Sequence, residues 1–324
     1  MIARSAVARR LQAAVLESAF LRDVIAGLTA QPKHLSPKYF YDAAGARLFE
    51  DITALPEYYP TRCELAILRR HGASIARFFP AGSALVELGS GSSRKVRLLL
   101  AAAPAIAAYV PVDISFEMLV QEADELRRDH PGLLVLPFEA DFTRPFTLPA
   151  AVAGMPRTGF FPGSTIGNFE PREAARFLRH AAGMLGRGAA LIIGVDLVKD
   201  ADVLNAAYND AAGVTAAFNL NLLARINREL GADFDLAGFR HHAFYDPDRG
   251  RIEMHLVSRA RQQVKVAGRT IEFAAGESIH TESSYKYTPA SFAALARRSS
   301  WSPAAAWSDP GGYFSVHALM TDDR

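Results

Sequence analysis

Between residues 84 and 197, short apolar runs alternate with helical patterns, and this alternation limits the fold more than any other feature. ALVELG (84–89) reads as a strand followed by a helix over SSRKVRLLLAA, and AYVPVDI as a second strand before the amphipathic helix FEMLVQEADELRRD. LLVLPFEAD, TGFFPGS and AALIIGVDL are three further strand-like runs, with a helix over PREAARFLRHAAGML ahead of the last. Repeated strand–helix units imply a mostly parallel sheet with helices on both faces. The expected fold class is therefore a doubly wound α/β core.

Outside this region the pattern changes. PTRCELAILRRHGASIARFF has helical spacing and opens with Thr61 three residues before Glu64, the spacing of a capping box. After about residue 197 one long helical stretch, DVLNAAYNDAAGVTAAFNLNLLARINREL, gives way to strand-like segments, including a hairpin around Asp246 to Gly250. The last segment, SWSPAAAWSDPGGYFSVHALM, reads as a hairpin turning at Asp309 to Gly312 that completes the main sheet, the chain returning to it near Tyr287. These breaks predict a core of residues 61–196 plus 287–324, and a second α+β domain of residues 1–60 plus 197–286.

Composition removes several classes of function. The 36 basic residues are interspersed with 34 acidic ones for a formal charge of +2, so there is no nucleic-acid footprint. Cys63 is the only cysteine, which rules out an intrachain disulfide and suits a reducing, cytoplasmic setting. LQAAVLESAFLRDVIAGL is interrupted by Glu17, Arg22 and Asp23 and reads as a surface or docking helix, not a secretory core. LLLAAAPAIAAYVPV is broken by Pro104, so no membrane span is expected. His241 and His242 are adjacent and face opposite ways on a strand; even with His255 and His280 added, no metal-ligand spacing exists, and no metal is expected. Ser164 lies in no GxSxG motif, which removes a hydrolase triad. The expected partner is a small-molecule substrate, and the expected state a monomer.

The loop GSGSSR after the first core strand supplies Gly89 and Gly91 for close approach of a ligand to the backbone, but has Arg94 where a dinucleotide fingerprint needs its third glycine. Asp113 in PVDIS ends the second strand where a ribose is gripped. Asp141 in ADF ends the third beside Phe142, placed to hold an adenine by its amino group and face. Acids without a clear phosphate cradle suit an adenosine with a cationic end, the form of S-adenosylmethionine.

LSPKYFYDAAGARLFEDITALPEYYPTR, VELGSGSSRK, PVDIS, ADF, PGSTIGN, AYND and IHTESSYKY together resemble the S-adenosylmethionine-dependent L-histidine Nα-methyltransferases of ergothioneine biosynthesis, over nearly the whole chain. The resemblance implies a class I methyltransferase core with a second domain. It assigns Gly89, Lys95, Asp113, Asp141, Phe142 and Tyr41 to the cofactor, Lys95 reaching the methionine carboxylate. It assigns Tyr58, Gly163, Asn168, Tyr208, Met254, Glu282 and Ser284 to histidine, with Phe49 and Thr215 as less distinctive matches. Only one of Tyr58 and Tyr59 faces the substrate, and Tyr58 is taken as the catalytic residue that orients the amine.

On a strand over TESSYK, Glu282, Ser284 and Lys286 share one face, so a carboxylate and a hydroxyl address one imidazole. Asn168 and Tyr208 are neutral donors for the substrate carboxylate, and Met254 suits a ring pocket. The expected product is the trimethyl betaine, hercynine. Two alternatives stay open: methylation of another amino acid such as tryptophan, and a non-catalytic adenosyl-ligand-binding protein. A nicotinamide dehydrogenase shares the fold but needs the missing pyrophosphate site.

Overall fold

The computed structural model describes residues 19–91 and 93–321, apart from the side chains of residues 116–118. The helix expected near the start lies partly outside the described residues, of which 19–29 are helical. The chain divides into two compact units. The first comprises Met1–Glu57, Ala201–Asp246 and Ile252–Ser283; the second comprises Tyr58–Asp200, Pro247–Arg251 and Ser284–Arg324. Among the described residues no helix is long and apolar enough to cross a membrane.

The second unit is built on an eight-stranded sheet. Its strands are β1 (Ala84–Leu88), β2 (Ala108–Asp113), β3 (Leu134–Val135), β4 (Phe138–Glu139), β5 (Arg157–Phe161), β6 (Ala190–Asp196), β7 (Ser302–Ser308) and β8 (Phe314–Met320). In space they run β7-β8-β6-β5-β1-β2-β3, with β4 also on β2. β8 is antiparallel to both its neighbours, while β1, β2, β5 and β6 run parallel. The terminal hairpin thus completes the sheet as expected, and Tyr287 meets Leu197 in an isolated parallel bridge where the chain returns. The expected third strand is the least regular. Two dipeptides, β3 and β4, flank Leu136–Pro137, because proline has no N–H for the ladder.

Every residue of β1 is buried, which fits a strand covered on both faces. Alternation sends Ala84, Val86 and Leu88 to one side with α4 (Pro171–Leu185) and α5 (Pro289–Arg297). Leu85 points to the other side, with α1 (Tyr59–Ile75), α2 (Arg94–Ala102) and α3 (Phe116–Asp129). α4 starts at Pro171, which needs no N–H there, and buries Ala174, Phe177, Leu178, Ala181 and Leu185 along one stripe. Trp301 Nε1 donates to the Leu178 carbonyl at 2.8 Å, satisfying a buried indole. Strand order reverses between β1 and β5, so the crevice beyond their carboxyl ends is where a ligand binds in such sheets.

The first unit has a four-stranded sheet in the order Lys33–His34, Ser278–Tyr285, Arg251–Ser258, Phe239–Asp246. The last two form the expected hairpin. A separate two-stranded ribbon pairs Gln262–Val266 with Arg269–Phe273. The long helical stretch is in fact two helices, Ala201–Tyr208 and Val214–Leu230. Asp210 divides them: its carboxylate accepts from the N–H groups of Val214 and Thr215, both at 2.8 Å, and so caps the second helix.

Candidate active site

Gly89 follows β1 with φ of +75°, and a Cβ built there would sit 3.3 Å from the Phe142 ring. Only glycine takes this conformation without strain and keeps the backbone open to a ligand. The loop is tied to β2, since the Gly89 N–H donates to the Val112 carbonyl at 2.8 Å. Phe142 is held from behind by Phe161 and Phe177, at 5.7 and 6.2 Å between ring centres. Two residues expected at one ligand are thereby brought together.

Asp113 closes β2, where its carboxylate accepts from the Ser115 N–H at 2.9 Å. Burial pushes its pKa up to about 6, against the opposing effect of backbone donors at Ser115 and Ile114. Asp141 follows β4 and accepts from the Thr143 N–H at 3.0 Å. Beneath the loop Glu87 is buried and accepts from Tyr109 and Ser90; burial still raises its pKa to about 7.

Lys95, one residue into α2, lies 2.6 Å from the fully buried Glu64 carboxylate. Glu64 also accepts the Gly163 N–H at 2.9 and 3.1 Å, so one side chain from α1 fixes both the loop after β5 and the lysine beside the glycine loop. This corrects the capping-box expectation. α1 begins at Tyr59 with Tyr58 as N-cap, and Glu64 is spent on these tertiary bonds, not on a helix end. Gly194 of β6 is required by the same arrangement, because a Cβ there would lie 2.1 Å from Glu64 Oε1. Gly163 has φ of +76° and precedes Ser164 at +58°; Asn168 ends the short turn Thr165–Asn168 and is half-buried.

Sequence reasoning missed a second buried cluster. Tyr59 donates to Asp196 at 2.8 Å, Lys199 and Lys286 lie 2.7 and 2.9 Å from the same carboxylate, and Lys286 also donates to Ser284 Oγ at 2.8 Å. Burial alone would raise the Asp196 pKa, but the two ammonium groups outweigh it and hold the carboxyl below its usual range. Burial brings Lys199 down to about 8 in spite of Asp196. Lys286, expected only to share a strand face with Glu282 and Ser284, is thus shared by Asp196 and Ser284. A signal for Asp196 existed: the apolar run in AALIIGVDL closes on an acid, as the run before Asp113 does.

In the first unit, Tyr41 and Phe49 meet at 5.5 Å between ring centres and both contact Phe218. Tyr208 is buried at the end of its helix, and its carbonyl lies 2.9 Å from His241 Nε2. The other nitrogen of His241 lies 2.9 Å from the Asn219 amide, so this ring is committed on both sides. Met254 is buried, and its carbonyl accepts from Thr281, the residue before the buried Glu282. Strict alternation fails just before these residues. His280 Nε2 lies 3.2 Å from Ser283 Oγ, three positions away, a contact that a regular strand does not allow.

The family described as histidine-specific, S-adenosylmethionine-dependent methyltransferases matches residues 20–321. The chain is 44% identical over 319 residues to the histidine N-alpha-methyltransferase of Mycolicibacterium smegmatis, covering 96% of this chain and 97% of that one. It is 42% identical over 318 residues to the protein of the same name from Mycobacterium tuberculosis, covering 97% and 98%. To the ergothioneine biosynthesis protein 1 of Neurospora crassa it is 33% identical over 253 residues, 72% of this chain and 29% of that protein. With the strand order, the glycine loop and the strand-end acids in place, the chain belongs to the family of histidine-specific, S-adenosylmethionine-dependent methyltransferases and is an enzyme of that class.

Proposed function

We propose that the enzyme methylates the α-amino nitrogen of L-histidine three times, giving hercynine. The observation that carries this reading is the near full-length likeness to two proteins named histidine N-alpha-methyltransferase. The relative named for ergothioneine biosynthesis supports the trimethylated product.

The residues are chemically suited to the task. When bound, S-adenosylmethionine supplies a methyl group made electrophilic by its sulfonium. Gly89, Asp113, Asp141, Phe142 and Tyr41 would hold it, with Lys95 directed to its carboxylate by Glu64. Glu282 would accept the imidazole N–H. Ser284, which accepts from Lys286, would donate to the second ring nitrogen. The Asn168 amide and the Tyr208 hydroxyl would each donate to the substrate carboxylate, Gly163 leaves room for it, and Met254 packs on the ring.

Attack requires a neutral amine aligned with the methyl, and positioning supplies much of the rate. Loss of water around the ammonium lowers its pKa, and a tyrosine hydroxyl orients the amine by accepting an N–H. Commitment of the Tyr59 hydroxyl to Asp196 supports Tyr58 in this role. The reaction stops at the quaternary nitrogen, which has no lone pair.

The test is to incubate the enzyme with S-adenosylmethionine and each of the twenty amino acids and to weigh the products. Histidine alone should gain one, two and then three methyl groups. Methylated tryptophan with untouched histidine would replace this reading by its closest alternative, and no methylated product would leave an adenosyl-binding protein.

A further inference from the structure

Histidines from two neighbouring strands of the first unit's four-stranded sheet come together. His280 lies on Ser278–Tyr285, and His255 lies two residues from Glu253 on Arg251–Ser258. His34 stands in register with His280 on the adjoining strand. The His255 and His280 rings are 5.1 Å apart between centres, and His255 Nε2 is 2.9 Å from Glu253 Oε2. One ligand atom from each of Glu253, His255 and His280 lies within 4.8 Å of the other two.

Two imidazoles and a carboxylate are the donor set of many zinc sites with an open position, where metal–ligand distances are about 2.0–2.2 Å. Closing the observed spacing to that geometry takes less than about 1 Å of movement per side chain, which rotamer adjustment supplies. Phe244 lies against the His255 ring at 5.6 Å and 12°, which holds the ring plane. His255 also has a buried Nδ1 without a hydrogen-bond partner, so the protein does not use all of this side chain's capacity to bind a ligand. The His255 side chain is 14% exposed and that of Glu253 8%, so these donors are largely withdrawn from bulk water.

We propose that Glu253, His255 and His280 bind a divalent cation of the zinc class, with water in the remaining position. Nitrogen donors exclude the oxygen-preferring magnesium and calcium. The bound cation would join the strand Arg251–Ser258 to the strand Ser278–Tyr285. It would grip the latter at His280, where alternation breaks and two residues before Glu282. Metal occupancy would therefore set the local geometry of the strand that carries two of the proposed histidine-binding residues. The sequence distance between Glu253 and His280, and the absence of a short motif, explain why spacing rules predict no metal here.

The experiment uses the full chain stripped with a chelator, kept free of amino acids and titrated at one buffered pH above neutrality, because metal binding releases protons and its affinity depends on pH. Cobalt(II) is followed by its visible absorption and zinc(II) by calorimetry. The wild-type chain should take up one equivalent of each, with the intense bands of four-coordinate cobalt, and zinc should raise its Tm. The His255→Ala/His280→Ala variant should bind at least about 100-fold more weakly and lose the bands, since even outer-shell changes cost 10–100-fold. Should that variant not fold, Glu253→Gln and His280→Ala read the same loss singly, and His71→Ala serves as an unaffected control. Equal uptake by wild type and the ligand variants, or no uptake by the wild type, overturns the proposal.

Discussion

Tyr58 and Tyr59 are chain neighbours with different surroundings, and their variants should separate structure from catalysis. Tyr59→Phe removes a donor from the buried Asp196 and should cost about 1–3 kcal/mol in denaturant unfolding. Tyr58→Phe should leave S-adenosylhomocysteine binding near wild type while slowing methylation. If Tyr58→Phe weakens cofactor binding as much as it slows turnover, the residue does not act on the amine. Asp113 gives a pH signature. Its pKa is raised to about 6 in the free protein, and in the role proposed for it the ionised carboxylate would accept from the ribose hydroxyls. Ligand therefore binds the deprotonated form preferentially. Calorimetry with S-adenosylhomocysteine should show constant affinity above about pH 6.5 and a fall approaching tenfold per pH unit well below pH 6. A flat profile down to about pH 5 would remove Asp113 from the site.

At the scale of elements, β6 and α1 meet through the absence of a side chain. Gly194→Ala would drive a methyl into the Glu64 carboxylate and break its bonds to Gly163 and Lys95. Stability should fall by roughly 2 kcal/mol or more, and S-adenosylhomocysteine affinity at least about tenfold. A variant with unchanged affinity would show that Glu64 does not position Lys95 and Gly163 for ligand. The sequence conveyed α3 and α4 over the full lengths that fold, because their apolar residues repeat at helical spacing and each packs one stripe on the sheet. It misled at Thr61 and Glu64, where local spacing matches a capping box but a buried tertiary bond takes the carboxylate. It also joined the two helices on either side of Asp210, since the break rests on one side chain turning back to cap the next helix.

For the molecule as a whole, legibility followed sequence locality. Gly89, Asp113 and Asp141 stand out because each sits at the end of an apolar run, and a parallel sheet brings strand ends together. Glu64 with Lys95, Asp196 with Lys286, and Glu253 with His280 join residues that chain spacing does not relate, so only the folded structure reveals them. The central claim is that this arrangement delivers a methyl group from S-adenosylmethionine to the α-nitrogen of histidine. The direct measurement is NMR of the product formed from histidine and cofactor carrying a carbon-13 methyl. The account predicts three equivalent labelled methyls coupled to the α-carbon. Label on an imidazole nitrogen, or histidine recovered without label, would contradict it.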